Sequence, residues 1–220
     1  MSHAARTALI VFARAPQPGR VKTRLAASVG EVEAARLYAV VLGRSLRLLE
    51  SWPGPRVLAC ADTASSDYFG QQPLTPRTAR RLQSGADLGA RMAAALEEAL
   101  QESPQALLMG SDLLDVEMDD LRHAADWLAS GTDVVLGPVA DGGYWLVGLR
   151  RPQPALFTAM RWSTPGVLQE TRARVLASGL TSRELPCRRD LDEAGDMTGF
   201  EQMLAAEAPL PLVPPAAANR

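Results

Sequence analysis

The chain has 220 residues, 47% of them hydrophobic, and a formal net charge of −2 at neutral pH. That length suits one domain, and the near-neutral charge gives no general reason to expect binding to nucleic acid or to a membrane surface. The longest apolar runs are too short to cross a bilayer, no basic-then-apolar leader is expected, and Cys60 and Cys187 are too few for a disulfide framework, which favours a reduced, cytoplasmic setting.

Thr7–Ala13 (T-A-L-I-V-F-A) is a short apolar run with β-branched residues and predicts a buried strand. It runs into a stretch carrying Arg14, Arg20, Lys22 and Arg24 with no acidic residue among them, shaped into a turn by Pro16, Pro18 and Gly19. A strand that ends in a basic, glycine-containing loop leading to a helix can present N–H groups and cations to a phosphate. A merely solvated basic loop is the alternative. From Glu31 to Ser51 apolar residues recur at helical spacing (Val32, Ala35, Tyr38, Leu42, Leu46, Leu49), and Trp52-Pro53-Gly54-Pro55 stops the helix. Arg56–Ala61 predicts a second strand, and strand–helix–strand is the unit of a parallel sheet.

The polar stretch 62–84 predicts a short helix near Ser65–Phe69 and a short strand at Arg80–Gln83. Asp87, between Gly85 and Gly89, can cap the helix that runs on to Glu102 or can contact substrate; Arg91 in its first turn is badly placed against the helix dipole. Ala106–Met109 predicts a buried strand ending in Gly110-Ser111-Asp112. A carboxylate there stands where open α/β sheets bind ligands and could hold a divalent cation; an ordinary turn-forming Asp is the competing reading. Met118–Ser130 predicts an amphipathic helix, whose His123 is assigned no role. Structural zinc is not expected, because His3 and His123 are the only histidines.

Two apolar runs, Asp133–Gly137 and Trp145–Leu149, flank Asp141-Gly142-Gly143-Tyr144 and predict two strands joined by a tight loop. Adjacent glycines also let a backbone approach a ligand closely. Ser163 or Thr164 is expected to cap a helix starting at Pro165 and running to Ser178. A last strand is predicted at Arg183–Pro186. Asp190 and Asp192, alternating about Leu191, would then show both carboxylates on one face of extended chain. Asp196 is expected to cap a final helix, Met197–Ala206, and the proline-rich residues 208–220 to form a mobile tail.

The stretch F-A-R-A-P-Q-P-G-R-V-K-T-R-L resembles the opening of the nucleotide-diphospho-sugar transferase-like proteins described as radical-SAM/selenodomain-associated, glycosyltransferase-like transferases. It is similar, more distantly, to the K-T-R-L opening of the 2-phospholactate guanylyltransferases. Q-S-G-A-D-L-G-A-R-M, G-S-D, G-P-V-A-D-G-G-Y-W-L-V-G-L, W-S-T and D-L-D extend the likeness over roughly residues 7–204. Three positions depart from the family pattern: Arg14 stands for its Lys, Leu114 for its Pro after G-S-D-x, and Glu193 for its Thr after D-x-D.

The resemblance implies a GT-A type α/β domain over residues 1–207, with a mainly parallel central sheet flanked by helices. It implies that Arg14, Gly19, Arg20, Lys22 and Arg24 hold the phosphates of a nucleotide or nucleotide-sugar. Asp112 with Asp190 or Asp192 would hold Mg²⁺ or Mn²⁺, and Asp87, Asp141, Gly142, Gly143 and Tyr144 would line the sugar or acceptor side. Lys22, Asp112 and Asp141 would carry the catalysis. The expected activity is metal-dependent glycosyl transfer from a nucleotide-sugar to a small-molecule acceptor. Nucleotidyl transfer from a triphosphate with release of pyrophosphate is one alternative, and a non-catalytic nucleotide-binding protein another. The expected partners are small molecules; a homodimer is compatible with the sequence.

Overall fold

The computed structural model describes residues 2–214. Seven strands, β1 (Thr7–Ala13), β2 (Arg56–Cys60), β3 (Thr78–Leu82), β4 (Gln105–Met109), β5 (Val134–Pro138), β6 (Tyr144–Leu149) and β7 (Ser182–Glu184), form one sheet in the order β3-β2-β1-β4-β6-β5-β7. All pairings are parallel except those of β6, which runs antiparallel to both neighbours. The helices are α1 (Thr23–Val29), α2 (Glu31–Ser51), α3 (Thr63–Gly70), α4 (Leu88–Glu102), α5 (Met118–Ala129), α6 (Val167–Ala177) and α7 (Glu201–Ala206). Among the described residues no helix is long and apolar enough to cross a membrane.

The central strand shows why the apolar run reads as it does. Leu9, Val11 and Ala13 point into a core shared with α2 and α5, while Ala8 and Ile10 point into a second core shared with α4 and α6. A parallel strand covered on both faces needs apolar residues at both parities, not alternation. Helix α2 carries Glu31 and Glu33 in its first turn, where the dipole favours them, and stops at Trp52 before Pro53. The buried Trp52 indole donates to Thr7 O at 2.8 Å and locks the helix end to the start of β1.

This winding brings four connections to one edge of the sheet: the basic loop after β1, Gly110-Ser111-Asp112 after β4, residues 139–143 between β5 and β6, and the chain after β7. Three local expectations change. Helix α6 begins after Gly166 without a side-chain cap, because Ser163 turns at φ +60 and the Thr164 hydroxyl donates back to Arg161 O. The last helix starts only at Glu201, since Gly199 at φ +85 interrupts the chain, and Asp196 sits inside a preceding 3-10 turn instead of capping α7. The expected mobile tail is tied down over residues 208–214: Leu210 N–H reaches Ala39 O, Tyr68 Oη donates to Pro211 O at 2.8 Å, and Val213 N–H donates to Pro16 O at 3.1 Å. Residues 215–220 of that tail lie outside the described residues.

Close packing of β5 against β6 leaves no room at Gly137, where an added Cβ would stand 2.4 Å from the buried Trp145 ring. Gly137→Ala is expected to destabilise the domain by about 1–3 kcal/mol, the usual cost of overpacking a core. Urea denaturation checks this, and an unchanged midpoint would contradict the packing described.

Candidate active site

The basic loop leaves β1 through two tight turns (Gln17 N–H to Ala15 O, Arg20 N–H to Gln17 O) with Gly19 at φ +76. It ends at Lys22, a non-glycine residue in the left-handed region at φ +48, ψ +49, whose carbonyl accepts from Ala26 N–H as α1 begins. A lysine held there costs about 1 kcal/mol and needs surroundings that fix it. The surroundings are two carboxylates. The Lys22 ammonium donates to Asp112 Oδ2 at 2.7 Å and to Asp192 Oδ1 at 2.6 Å, and its side chain is 8% exposed. Burial alone would lower the lysine pKa, but the two carboxylates outweigh it and hold it above the ordinary value. Burial would likewise raise Asp112, and Lys22 holds it below the usual carboxylate range. Arg24 approaches the other Asp192 oxygen at 3.8 Å.

Tyr38 knits this region together from α2. Its buried hydroxyl receives Arg14 N–H at 3.3 Å, lies 3.1 Å from Arg14 O, and lies 3.0 Å from Ser111 Oγ, so the β1 and β4 loops share one anchor. The resulting cleft, about 280 Å³, is lined by Arg14, Arg20, Arg24 and Thr23 above Lys22, with Asp112 and Asp192 on its floor.

Beside it lies an acidic half. Asp141, Asp190 and Asp192 each offer a carboxylate oxygen, all within 4.8 Å of one another. Asp141 is aimed by Gly143 N–H at 2.9 Å. Asp190 and Asp192 lie on one face of an extended segment, with Leu191 fully buried between them. That segment pairs with the β4 loop: Leu191 N–H donates to Asp112 O at 2.9 Å and Leu114 N–H to Arg189 O at 2.8 Å. Proline at 114 could not donate that bond, so Leu114 adds a tie where it departs from the family pattern. Glu193 closes a capping box with Asp196, whose Oδ2 also accepts Asp192 N–H at 2.8 Å. Burial and the charges of Asp112, Asp192 and Asp141 push Asp190 up to about 7. Hard oxygen donors gathered this closely, with negative charge left uncompensated, fit Mg²⁺ or Mn²⁺.

The structure thus brings together Arg14, Arg20, Lys22, Arg24, Asp112, Asp141, Asp190 and Asp192. Four expected site positions have local settings that the sequence did not show. Lys22 Nζ lies between Asp112 and Asp192, and the carboxylates whose oxygens gather within 4.8 Å of one another are Asp141, Asp190 and Asp192, without Asp112. Asp87 does not line the cleft; it caps α4, accepting Ala90 N–H at 2.8 Å. Gly142, at φ +89, is backed by Pro165, whose oxygen would lie 2.1 Å from an added Cβ, so loop packing by itself requires glycine there. The Tyr144 hydroxyl is buried away from solvent. Tyr38, Ser111, Asp120, Arg188 and Asp196 were missed as supports. Only Tyr38 gave any signal, a polar-tipped aromatic on the apolar face of α2.

With this arrangement in view, solved structures place the fold in the nucleotide-diphospho-sugar transferase-like class. A protein from Desulfovibrio desulfuricans G20, provisionally named a nucleotide-diphospho-sugar transferase, is 30% identical with a TM-score of 0.83 over 92% of this chain and 88% of that one. Two more distant structures share the fold alone. Rv0371c from Mycobacterium tuberculosis H37Rv, solved in complex with manganese, is 17% identical (TM-score 0.54; 91% and 99% covered). The inositol-1-phosphate CTP transferase from T. maritima is 12% identical (TM-score 0.56; 94% and 97% covered). The chain belongs to the DUF2064 family, described as uncharacterized proteins conserved in bacteria, whose sequence model matches residues 45–164. No curated protein matches it in sequence.

The 185–192 segment is carried to the site by Arg188, which pairs with Asp120 at 2.7 Å (side chains 23% and 7% exposed) while its backbone N–H donates to Pro138 O. Arg188→Gln removes the cation from the buried Asp120 carboxylate, which keeps the Glu117 N–H. A loss of about 3–5 kcal/mol in unfolding free energy is expected. A variant as stable as the parent would show that this pair does not anchor the segment.

Proposed function

We propose that the chain is a divalent-metal-dependent transferase that takes its donor group from a nucleotide. The carrying observation is that one carboxylate, Asp192, belongs to both halves of the site: it grips the Lys22 ammonium with one oxygen and stands in the Asp141–Asp190–Asp192 cluster. A nucleotide diphosphate needs cations on its free oxygens and a metal across them, and here the two sources of positive charge would be coupled through a shared ligand. Lys22 has three N–H donors and spends two on carboxylates, which leaves one for a phosphate oxygen. Arg14, Arg20 and Arg24 can hold the remaining phosphate oxygens. Asp141, Asp190 and Asp192 would hold Mg²⁺ or Mn²⁺, which when bound supplies charge to stabilise the departing diphosphate.

Glycosyl transfer is the finer reading, supported by the name of the 30%-identical relative and by the exposed Asp141 carboxylate, which stands outside the cation-lined cleft. Nucleotidyl transfer is the second reading. What favours it is the basic loop, whose four cations suit a triphosphate, and the closure of the Gly142 face and the Tyr144 hydroxyl on the side expected to seat a sugar.

Titration calorimetry with UDP, GDP, CDP and ADP is expected to show binding of at least one diphosphate that needs Mn²⁺ and is abolished by excess chelator. Lys22→Met should weaken it by about 1.5–3 kcal/mol, as for a lost charged hydrogen bond. Equal binding with and without metal would sink the metal-dependent reading. The same titration with matched nucleotide-sugars and triphosphates separates the two chemistries. A glycosyltransferase should prefer the sugar conjugate, whereas preference for one triphosphate would promote nucleotidyl transfer.

A further inference from the structure

The basic loop is held at its start, residue by residue, from different parts of the fold. Arg14 N–H donates to Tyr38 Oη of α2 at 3.3 Å, and Ala15 N–H donates to Ser65 Oγ of α3 at 3.0 Å. Pro16 comes next and is buried, and its carbonyl accepts Val213 N–H at 3.1 Å. From Gln17 onward the loop is bonded through its own turns, with Arg20 N–H on Gln17 O at 3.0 Å. Where Arg14 and Arg20 stand therefore depends on how firmly residues 14–16 are fixed. Tyr38 and Ser65 hold from helices, whereas Val213 holds from the far end of the chain.

The segment that brings Val213 there follows α7 and is itself anchored along its length. Glu207 pairs with both Arg44 and Arg47 of α2. Leu210 N–H reaches Ala39 O at 3.4 Å, and its side chain lies over Gly43, 3.7 Å from where a Cβ would stand. Tyr68 Oη of α3 donates to Pro211 O at 2.8 Å. Leu210, Leu212 and Val213 are half-buried against the same core that takes in Ala15 and Val21. Ordering a chain end costs conformational entropy, and these contacts offset it. The segment thus links α2 and α3 to the first turn of the basic loop.

A small recess lined by Arg14, Gln17, Arg20, Asp62, Ser65 and Val213 shares both arginines with the phosphate cleft. The docked chain end therefore borders the same guanidinium groups that line the cleft above Lys22. We propose that residues 207–213 are a positioning strap for the phosphate-binding loop. By holding Pro16 they fix where Arg14 and Arg20 stand, so nucleotide affinity depends on docking of this segment. Val213 is a positioning residue: it acts through Pro16 and not on the ligand. This inference rests on the nucleotide-donor reading.

Two variants of the full chain undock the strap at different points. Val213→Pro removes the N–H and puts a ring carbon where its hydrogen pointed. Leu210→Asp sets a carboxylate against the apolar contact on α2. Hydrogen exchange read by mass spectrometry should show the amides of Gln17, Gly19, Arg20 and Val21 exchanging several-fold faster in both variants, with β4 and β6 unchanged. Calorimetry with UDP, GDP, CDP and ADP in Mn²⁺ should show whichever diphosphate the parent binds held about five- to tenfold more weakly, the worth of one net hydrogen bond. The strap is overturned if either variant keeps the parent's loop exchange or the parent's affinity. Exchange that rises equally in β4 and β6 overturns it too, since the segment would then be a general clamp on the fold. A parent that binds none of these diphosphates overturns the nucleotide-donor reading, while the exchange experiment still tests whether the strap holds the loop.

Discussion

A buried ammonium between two carboxylates organises this protein. Lys22, Asp112 and Asp192 come from three distant parts of the chain, and each is tolerable in a half-buried place only because the others are there. Asp112 and Asp192 alone would repel, and Lys22 alone would be a buried charge in a strained backbone conformation. Together they leave a net negative charge of one at the floor of a cleft whose upper wall is arginine. The adjoining Asp141 adds to this, and the crowding of negative charge holds Asp190 well above the usual carboxylate range. The site is thus cationic on one side and acidic on the other, with Asp192 at the boundary.

Around that triad the fold supplies positioning groups. Tyr38 spans from α2 to both the β1 and the β4 loops with one hydroxyl. Asp196 turns back to accept the N–H groups of Asp192 and Glu193. The Leu113–Asp190 bridge and the bonds beside it make a short antiparallel pairing of the two carboxylate-bearing segments. These supports act mostly on backbone and do not use the carboxylate oxygens of Asp112, Asp190 and Asp192. A site meant to exchange ligands needs that division between groups that hold and groups that bind.

Much of this was legible in the sequence. Runs such as Thr7–Ala13 and the spacing of α2 announce strand and helix because burial on two faces and on one face leave different patterns. The basic loop and the carboxylates at 112, 141, 190 and 192 stand out because charged residues directly after core strands have few structural reasons to be there. What the sequence could not show was pairing. That Lys22 reaches both Asp112 and Asp192 goes with a left-handed turn that no propensity favours. Likewise, Gly142 looks the same whether it faces a ligand or Pro165. Arg188 and Asp120, 68 residues apart, are ordinary surface types until the fold buries them together. The docked residues 208–214 misled for a related reason: proline-rich composition speaks against helix and strand, not against packing.

The order in which the chain is made gives that docking another meaning. The cations of the β1 loop are made before Asp190 and Asp192, and before the Val213 segment that ties back to Pro16. Domains fold as units once enough of their chain is out, and here Lys22 and its partner Asp192 are 170 residues apart. A partly synthesised or prematurely terminated product would carry a loose basic loop without its late carboxylates. Closing the Lys22–Asp112–Asp192 triad therefore waits until the segment bearing Asp192 has been made.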